Sequence, residues 1–288
     1  MVDADLARLM RRLRRGGGDQ DYETIAYLRH LDPDSWSAQG AGKMMREGCE
    51  TAAKALGYGI DDIRLPEPPG RELHRVLQAR GIRGLVIESF APDPFPWELP
   101  WEQYATVQLG SRPRKEAFHC VDADDYLNVR LAMRMLRQAG CQRVGFVTTA
   151  EDVSYTESAY LGHFIANSPM PDAPRFILRE ERFENEGEAF RHWLKREGID
   201  GILSTFGLLD NWLDNLDYRY PEDLALAHAN TMKGHRWGGV LGHDTLLGRT
   251  AVETLALCLE SGQIGPLAPP IIRLVPGTWQ WGETIRRQ

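Results

Sequence analysis

Three carboxylates, Asp122, Asp124 and Asp125, crowd together directly after the strand-like His119-Cys120-Val121. They open the helix that follows. Each can cap its free N–H groups or turn outward and accept a ligand's hydroxyls. The pairs Asp61-Asp62 and Glu180-Glu181 read as solvated faces. His243-Asp244 has the form of an oriented base, and His228, His235 and His243 invite a metal reading. Their spacing fits neither one helix face nor a zinc pattern, so they read as scattered loop histidines. Gly40-Ala41-Gly42-Lys43 falls short of a phosphate loop, because Met44 stands where Ser or Thr is required and Ser37 where the first Gly belongs. It reads as a helix start. After the first strand comes Arg29-His30-Leu31-Asp32-Pro33, with no dinucleotide-binding glycines. There is no G-x-S-x-G elbow and no H-E-x-x-H helix. Cys49, Cys120, Cys141 and Cys258 are far apart and read as small hydrophobes. The expectation is a binding protein with no catalytic residue, cofactor or metal.

The elements around these residues alternate. The 288 residues, 42% hydrophobic and 26% charged, have the composition of a globular chain. Thr24–Leu28 is a short apolar run and hence a buried strand. Residues 40–56 place Ala41, Met45, Gly48, Cys49, Ala52 and Ala53 on one helical face, and Gly57 ends that helix. Strands follow at 62–65, 84–87 and 105–109, with a helix at 71–80 between the first two. The second half repeats the rhythm. It has helices at about 124–139, 156–167, 187–197, 208–216 and 245–260, and strands at 144–148, 176–178, 201–204, 224–228 and 271–275. Strands alternating with helices build parallel α/β sheets. There are too many units for one small sheet, so two α/β lobes are expected, split near residue 140. Ligands of such sheets bind outside the carboxyl ends of the strands.

Net charge is −7. The first fifteen residues hold five arginines against two aspartates, so the body is more acidic still. A body of that charge is a poor reader of nucleic acid phosphates. Leu6, Leu9, Met10 and Leu13 predict a short basic amphipathic helix, broken by Gly16-Gly17-Gly18. No 18-residue apolar run and no secretory leader is present, so a cytoplasmic protein is expected.

Several segments, in order, resemble the effector-binding core of the LacI/GalR family of bacterial transcription regulators, over about residues 22–288. They are GAGKMMREGCETAAKALGYGI, GIRGLVIES, VDADDYLNVRLAMRMLRQAGCQRVGFV, YPEDLALAHAN, LLGRTAVETLALCLESG and IIRLVPGTWQWGETIRR. The resemblance implies the type I periplasmic-binding-protein-like architecture, an α/β fold of two Rossmann-like lobes with parallel sheets joined by three crossovers. One lobe would be residues 22–139 with about 241–264, the other 140–240 with about 270–288. It further implies a sugar-like effector in the interlobe cleft, a homodimer, and operator DNA bound through a helix-turn-helix headpiece that is absent from this chain. Residues 1–21 then resemble the end of a basic linker or hinge. The alternative is a free-standing or transport-type solute-binding protein with no DNA-binding role.

By position, the resemblance points to Arg29, His30, Trp36, Asp122 and Asp124 as first-lobe ligand contacts, and to Tyr155, Phe183, Phe206 and Asn230 as second-lobe contacts. Aromatic faces with a few polar groups suit a sugar. Each aromatic has ordinary packing as its alternative, and Trp97 and Trp101 read as lobe-surface packing. The sequence also departs from the family. Glu157-Ser158-Ala159-Tyr160-Leu161-Gly162 lacks the arginine that grips sugar hydroxyls there. Asn230 stands in place of an aspartate, and Thr205-Phe206-Gly207 replaces an Asn-Asp turn.

Overall fold

The computed structural model describes residues 23–29, 40–64, 70–88, 99–110, 117–180, 182–267 and 269–287. The basic leader, His30, Trp36 and Trp97 lie outside the described residues, as does the side chain of Tyr155.

Two compact units form, 1–122 with 243–275 and 123–242 with 276–288, so the chain passes between them three times. In the first, β1 (Glu23–Arg29) is followed by α1 (Ala41–Leu56), β2 (Tyr58–Arg64), α2 (Gly70–Ala79), β3 (Gly84–Ile87), β4 (Ala105–Leu109) and β5 (His119–Ala123). In the second come α3 (Asp125–Gln138), β6 (Val144–Thr149), α4 (Ala150–Tyr155), α5 (Ala159–Asn167), β7 (Arg175–Leu178) and α6 (Phe183–Glu197). Then follow β8 (Gly201–Ser204), α7 (Leu209–Asn215), β9 (Ala225–Thr231) and β10 (Gly238–Leu241). The chain next gives α8 (Asp244–Ser261) and β11 (Ile272–Val275) to the first unit and β12 (Thr278–Gln280) to the second.

Each unit holds a six-stranded sheet. The orders are β11-β5-β4-β3-β1-β2 and β12-β10-β9-β8-β6-β7. They are the same permutation, and the last strand of each comes from the C-terminal segment. The pairs β1–β2, β1–β3, β3–β4 and β4–β5 are parallel, as are β6–β7, β6–β8, β8–β9 and β9–β10. β12 joins β10 antiparallel. The α/β fold of two parallel-dominated sheets with three crossovers is therefore as expected. In both sheets the order turns back beside the first strand, between β1 and β3 and between β6 and β8. Those are the topological switch points, where a crevice opens at the carboxyl ends.

Two boundaries differ from the sequence expectation. The first unit closes at Asp122 and not at residue 139. Helix α3 buries Val129, Ala132, Met133 and Leu136 against Phe146, Leu203, Ala227 and Val240, all of the second unit. Residues 272–275 stay with the first sheet, and the final crossing comes after Val275. The helix expected over 156–167 begins at Ala159 as α5, and the short helix α4, which was not expected, precedes it. Glu157 (φ 48°) and Ser158 (φ 65°) between them are left-handed, at a cost of about 1 kcal/mol each. The strands β10 and β12 carry no alternating apolar signal, and pairing alone makes them strands.

The first unit closes where α1 crosses α8. A Cβ at Gly48 would overlap the Thr245 carbonyl, and one at Gly248 would overlap the Met45 carbonyl. Two bare backbones thus meet, and the Cys49 thiol donates to the Gly248 carbonyl at 3.2 Å. Met45, Cys49, Ala52, Leu247, Ala251 and Leu255 seal the seam over Ile25, Val86 and Val107. Gly248→Ala should lower stability by about 1–3 kcal/mol, the usual cost of overpacking. Gly162→Ala, in α5 where nothing lies near an added Cβ, should raise it by about 0.5–1 kcal/mol. Urea unfolding of both variants checks the pair.

Candidate functional site

At the first switch point the alternation of β1 sends Tyr27 and Arg29 to the face that α1 covers, and Glu88 follows β3 two residues after Val86 on that face. Asp62 of β2 accepts from the Arg29 Nε at 2.6 Å and from Arg46 of α1 at 3.4 Å. One carboxylate thereby pairs with both arginines, and Arg46 also meets Glu50 at 3.6 Å. Tyr27 is 1% exposed, and its hydroxyl has no hydrogen-bond partner among the described residues. Glu88 is 3% exposed. Burial, then the Glu88 charge, pushes the Tyr27 phenol well above its ordinary range, so it stays a donor.

The second switch point is built on Thr205, directly after β8. Its N–H donates to the Val147 carbonyl at 3.1 Å. Its hydroxyl lies 2.7 Å from the Thr148 hydroxyl and 2.8 Å from the Asp152 Oδ2. An ionised carboxylate only accepts, so Thr205 donates to Asp152 and Thr148 donates to Thr205. Thr149 caps α4 by accepting the Asp152 N–H at 2.9 Å. Ser204 donates to the Val147 carbonyl and accepts the Phe206 N–H, which fixes the turn beyond β8. Burial raises the Asp152 carboxyl above its ordinary range, against the lowering bonds from Thr205 and Thr149.

His228 works from the other face of the same sheet. It is buried on β9, not in a loop as its spacing suggested. Its Nδ1 lies 2.8 Å from the Asn230 carbonyl oxygen. Burial drives its pKa down to about 4, although the backbones of Asn230 and Thr205 favour the charged form. Its ring tilts against Trp237, which His235 meets edge-on and whose Nε1 donates to Asp210 at 3.1 Å. His243 belongs to the first unit, ahead of α8. Among the described residues no group of three or more His, Cys, Asp and Glu could hold a metal ion.

The residues singled out from the sequence fall into three groups. Arg29 lies at the first switch point, and the half-buried Asn230 lies beside His228 near the carboxyl end of β9. Asp122 is half-buried near the end of β5, while Asp124 caps α3 by accepting the Leu127 N–H at 2.9 Å. Phe183 and Phe206 both meet Trp212 edge-on in the second unit's core. Phe206 is only 3% exposed, so its ring serves packing, while Phe183 is half-buried against that core. Trp101 is likewise core, stacked at a tilt on Phe118. Tyr27, Glu88, Thr148, Asp152, Thr205 and His228 were missed. Their signal is a polar residue interrupting or ending an apolar strand, as in GLVI-Glu88 and GILS-Thr205.

The depressed His228 pKa has a sign. The unfolded chain binds that proton more readily, so stability is full above about pH 6.5 and is lost as pH falls toward 4. The loss from this group approaches about 3 kcal/mol. Asp152 and Asp244, both raised by burial, act in the opposite sense. His228→Gln should therefore flatten the difference in urea-unfolding stability between pH 7 and pH 5.

No family model and no curated protein matches the sequence. Solved structures share its fold. The transcription regulator CcpA of Lactococcus lactis is 12% identical, with a TM-score of 0.67 over 92% of this chain and all of that one. The transcriptional regulator CelR in complex with cellobiose is 16% identical, with a TM-score of 0.66 over 97% and 89% of the two chains. A LacI family transcriptional regulator from Enterococcus faecium with bound ribose is 15% identical, with a TM-score of 0.62 over 91% and 98%. This chain is built on the same two-unit α/β fold as these regulators.

Proposed function

We propose that this chain is the ligand-sensing and dimerisation core of a LacI-type bacterial transcriptional regulator. One observation carries the reading. On a fold whose solved relatives hold cellobiose and ribose, both sheets place buried and half-buried polar side chains at or beside their switch points. The first offers Tyr27, Arg29 and Glu88, and the second offers Thr148, Asp152, Thr205 and Asn230. A sugar-like molecule needs such a set of donors and acceptors fixed in advance.

Coupling follows from linkage. A ligand that binds one state of the chain better than another shifts the balance toward it, and that preference is transmitted to whatever the dimer carries. In this reading operator DNA is contacted by a separate headpiece, since the acidic body is ill-suited to phosphates. The chain binds and does not catalyse, and it acts in the cytoplasm. Among the described residues no helix is long and apolar enough to cross a membrane.

Thermal unfolding against a panel of mono- and disaccharides, polyols and nucleosides tests this. A true effector near a hundred times its Kd should add about 2.7 kcal/mol, or roughly 5 °C in Tm. Sedimentation equilibrium should return a dimer. A flat response across the whole panel overturns the sensing reading, and a monomer overturns the dimerisation role.

A further inference from the structure

We propose that Asp152 determines specificity at the second switch point, and that the effector it selects is a hydroxylated amine such as an amino sugar. The inference rests on the ligand-sensing reading and names the chemical class that reading leaves open.

Four observations converge. Asp152 is half-buried at the crevice between β6 and β8, the place where this topology takes its ligands. Its Oδ2 accepts from Thr205, which in turn accepts from Thr148, so the relay points every donor at the carboxylate and leaves it an acceptor. Among the described residues the charged group acting on it is Glu151 beside it; β6 and the Thr205 turn hold no basic residue, and the basic side chain of α5 is His163. The stretch Glu157-Ser158-Ala159-Tyr160-Leu161-Gly162, which turns the chain from α4 into α5, holds no arginine.

Asp152 is the third residue of α4, where an acid ordinarily reaches back to the helix start. Its carboxylate meets the Thr149 hydroxyl of that start and also accepts from Thr205 beyond β8. Burial first, and the Glu151 charge with it, raises the carboxyl above its ordinary range despite those bonds. A protonated amine placed there supplies the missing charge through a charge-assisted hydrogen bond. A neutral hydroxyl supplies less, and a phosphate is repelled.

The test uses glucose, galactose and mannose, each with its 2-amino and 6-phosphate counterpart, titrated calorimetrically at pH 7 and at pH 5. In at least one series the amino sugar should bind about tenfold tighter than the neutral one at pH 7, with the phosphate weakest. That preference should shrink at the lower pH, because burial raises the Asp152 carboxyl above its ordinary range and so favours its protonation. Asp152→Asn keeps an acceptor for Thr205 and should bring amino and neutral sugars within about twofold of one another. An equal Tm for the variant would show that it folds. Tighter binding of neutral or phosphorylated sugars throughout, or an amine preference that survives in Asp152→Asn, overturns the inference and leaves the sensing reading standing. No binding by any of the nine compounds, together with the flat response of the wider panel, removes both.

Discussion

The first unit depends on two helices approaching until their backbones touch. Residues 41–56 and 244–261 are separated by nearly two hundred positions, yet Gly48 and Gly248 let α1 and α8 meet with no side chain between them. Close approach brings the flanking Met45, Cys49, Ala52, Leu247 and Ala251 into one sealed layer over the sheet. Any larger residue at the crossing would lift α8 off β3 and β4 and open that layer to water. The contact also fixes the topology. The helix that covers the first sheet is made only after the chain has built almost all of the second, so neither unit is a contiguous piece of sequence.

The same permutation of strands in both sheets places a switch point in each, and both are treated alike chemically. Strands that are wholly apolar in their middles end in side chains with hydrogen bonds to give. At β6 and β8 these are hydroxyls arranged head to tail toward Asp152, and at β1 and β3 they are a buried phenol and a buried carboxylate. Such groups are costly to bury unless they are used. His228 shows what that demands of the scaffold. It is kept neutral by burial, lies between the Thr205 turn and Asn230, and is backed by Trp237, which Asp210 holds in turn. The second site is thus rigid on its sheet side.

Much of the architecture could be read from the residues. The seam residues of α1, its Gly57 end and the alternation of short apolar strands with amphipathic helices all appear as patterns. So does the capping role open to the acids at 122–125, which Asp124 fulfils. Patterns of period two and 3.6 depend on which face is buried, and that is a local property. Assignment of α3 to the second unit was not legible, because its apolar face says only that it packs and not against what. The strands Gly238–Leu241 and Thr278–Gln280 were equally silent, since their hydrogen bonds and not their side chains make them strands.

The candidate site divides along the same line. The sequence by itself determined that the chain is α/β, that its body is acidic, and that ligands belong at strand ends. It also marked Arg29 and Asn230 as residues near those ends. Only the tertiary structure decided that Phe206 is core with Phe183 packed against it, that His228 is a buried strand residue, and that Thr148, Thr205 and Asp152 form one relay. The reason is physical. A side chain's periodicity is fixed by its near neighbours in the chain, but the partner of its polar atom is fixed by strands and turns that only folding brings within 3 Å of it.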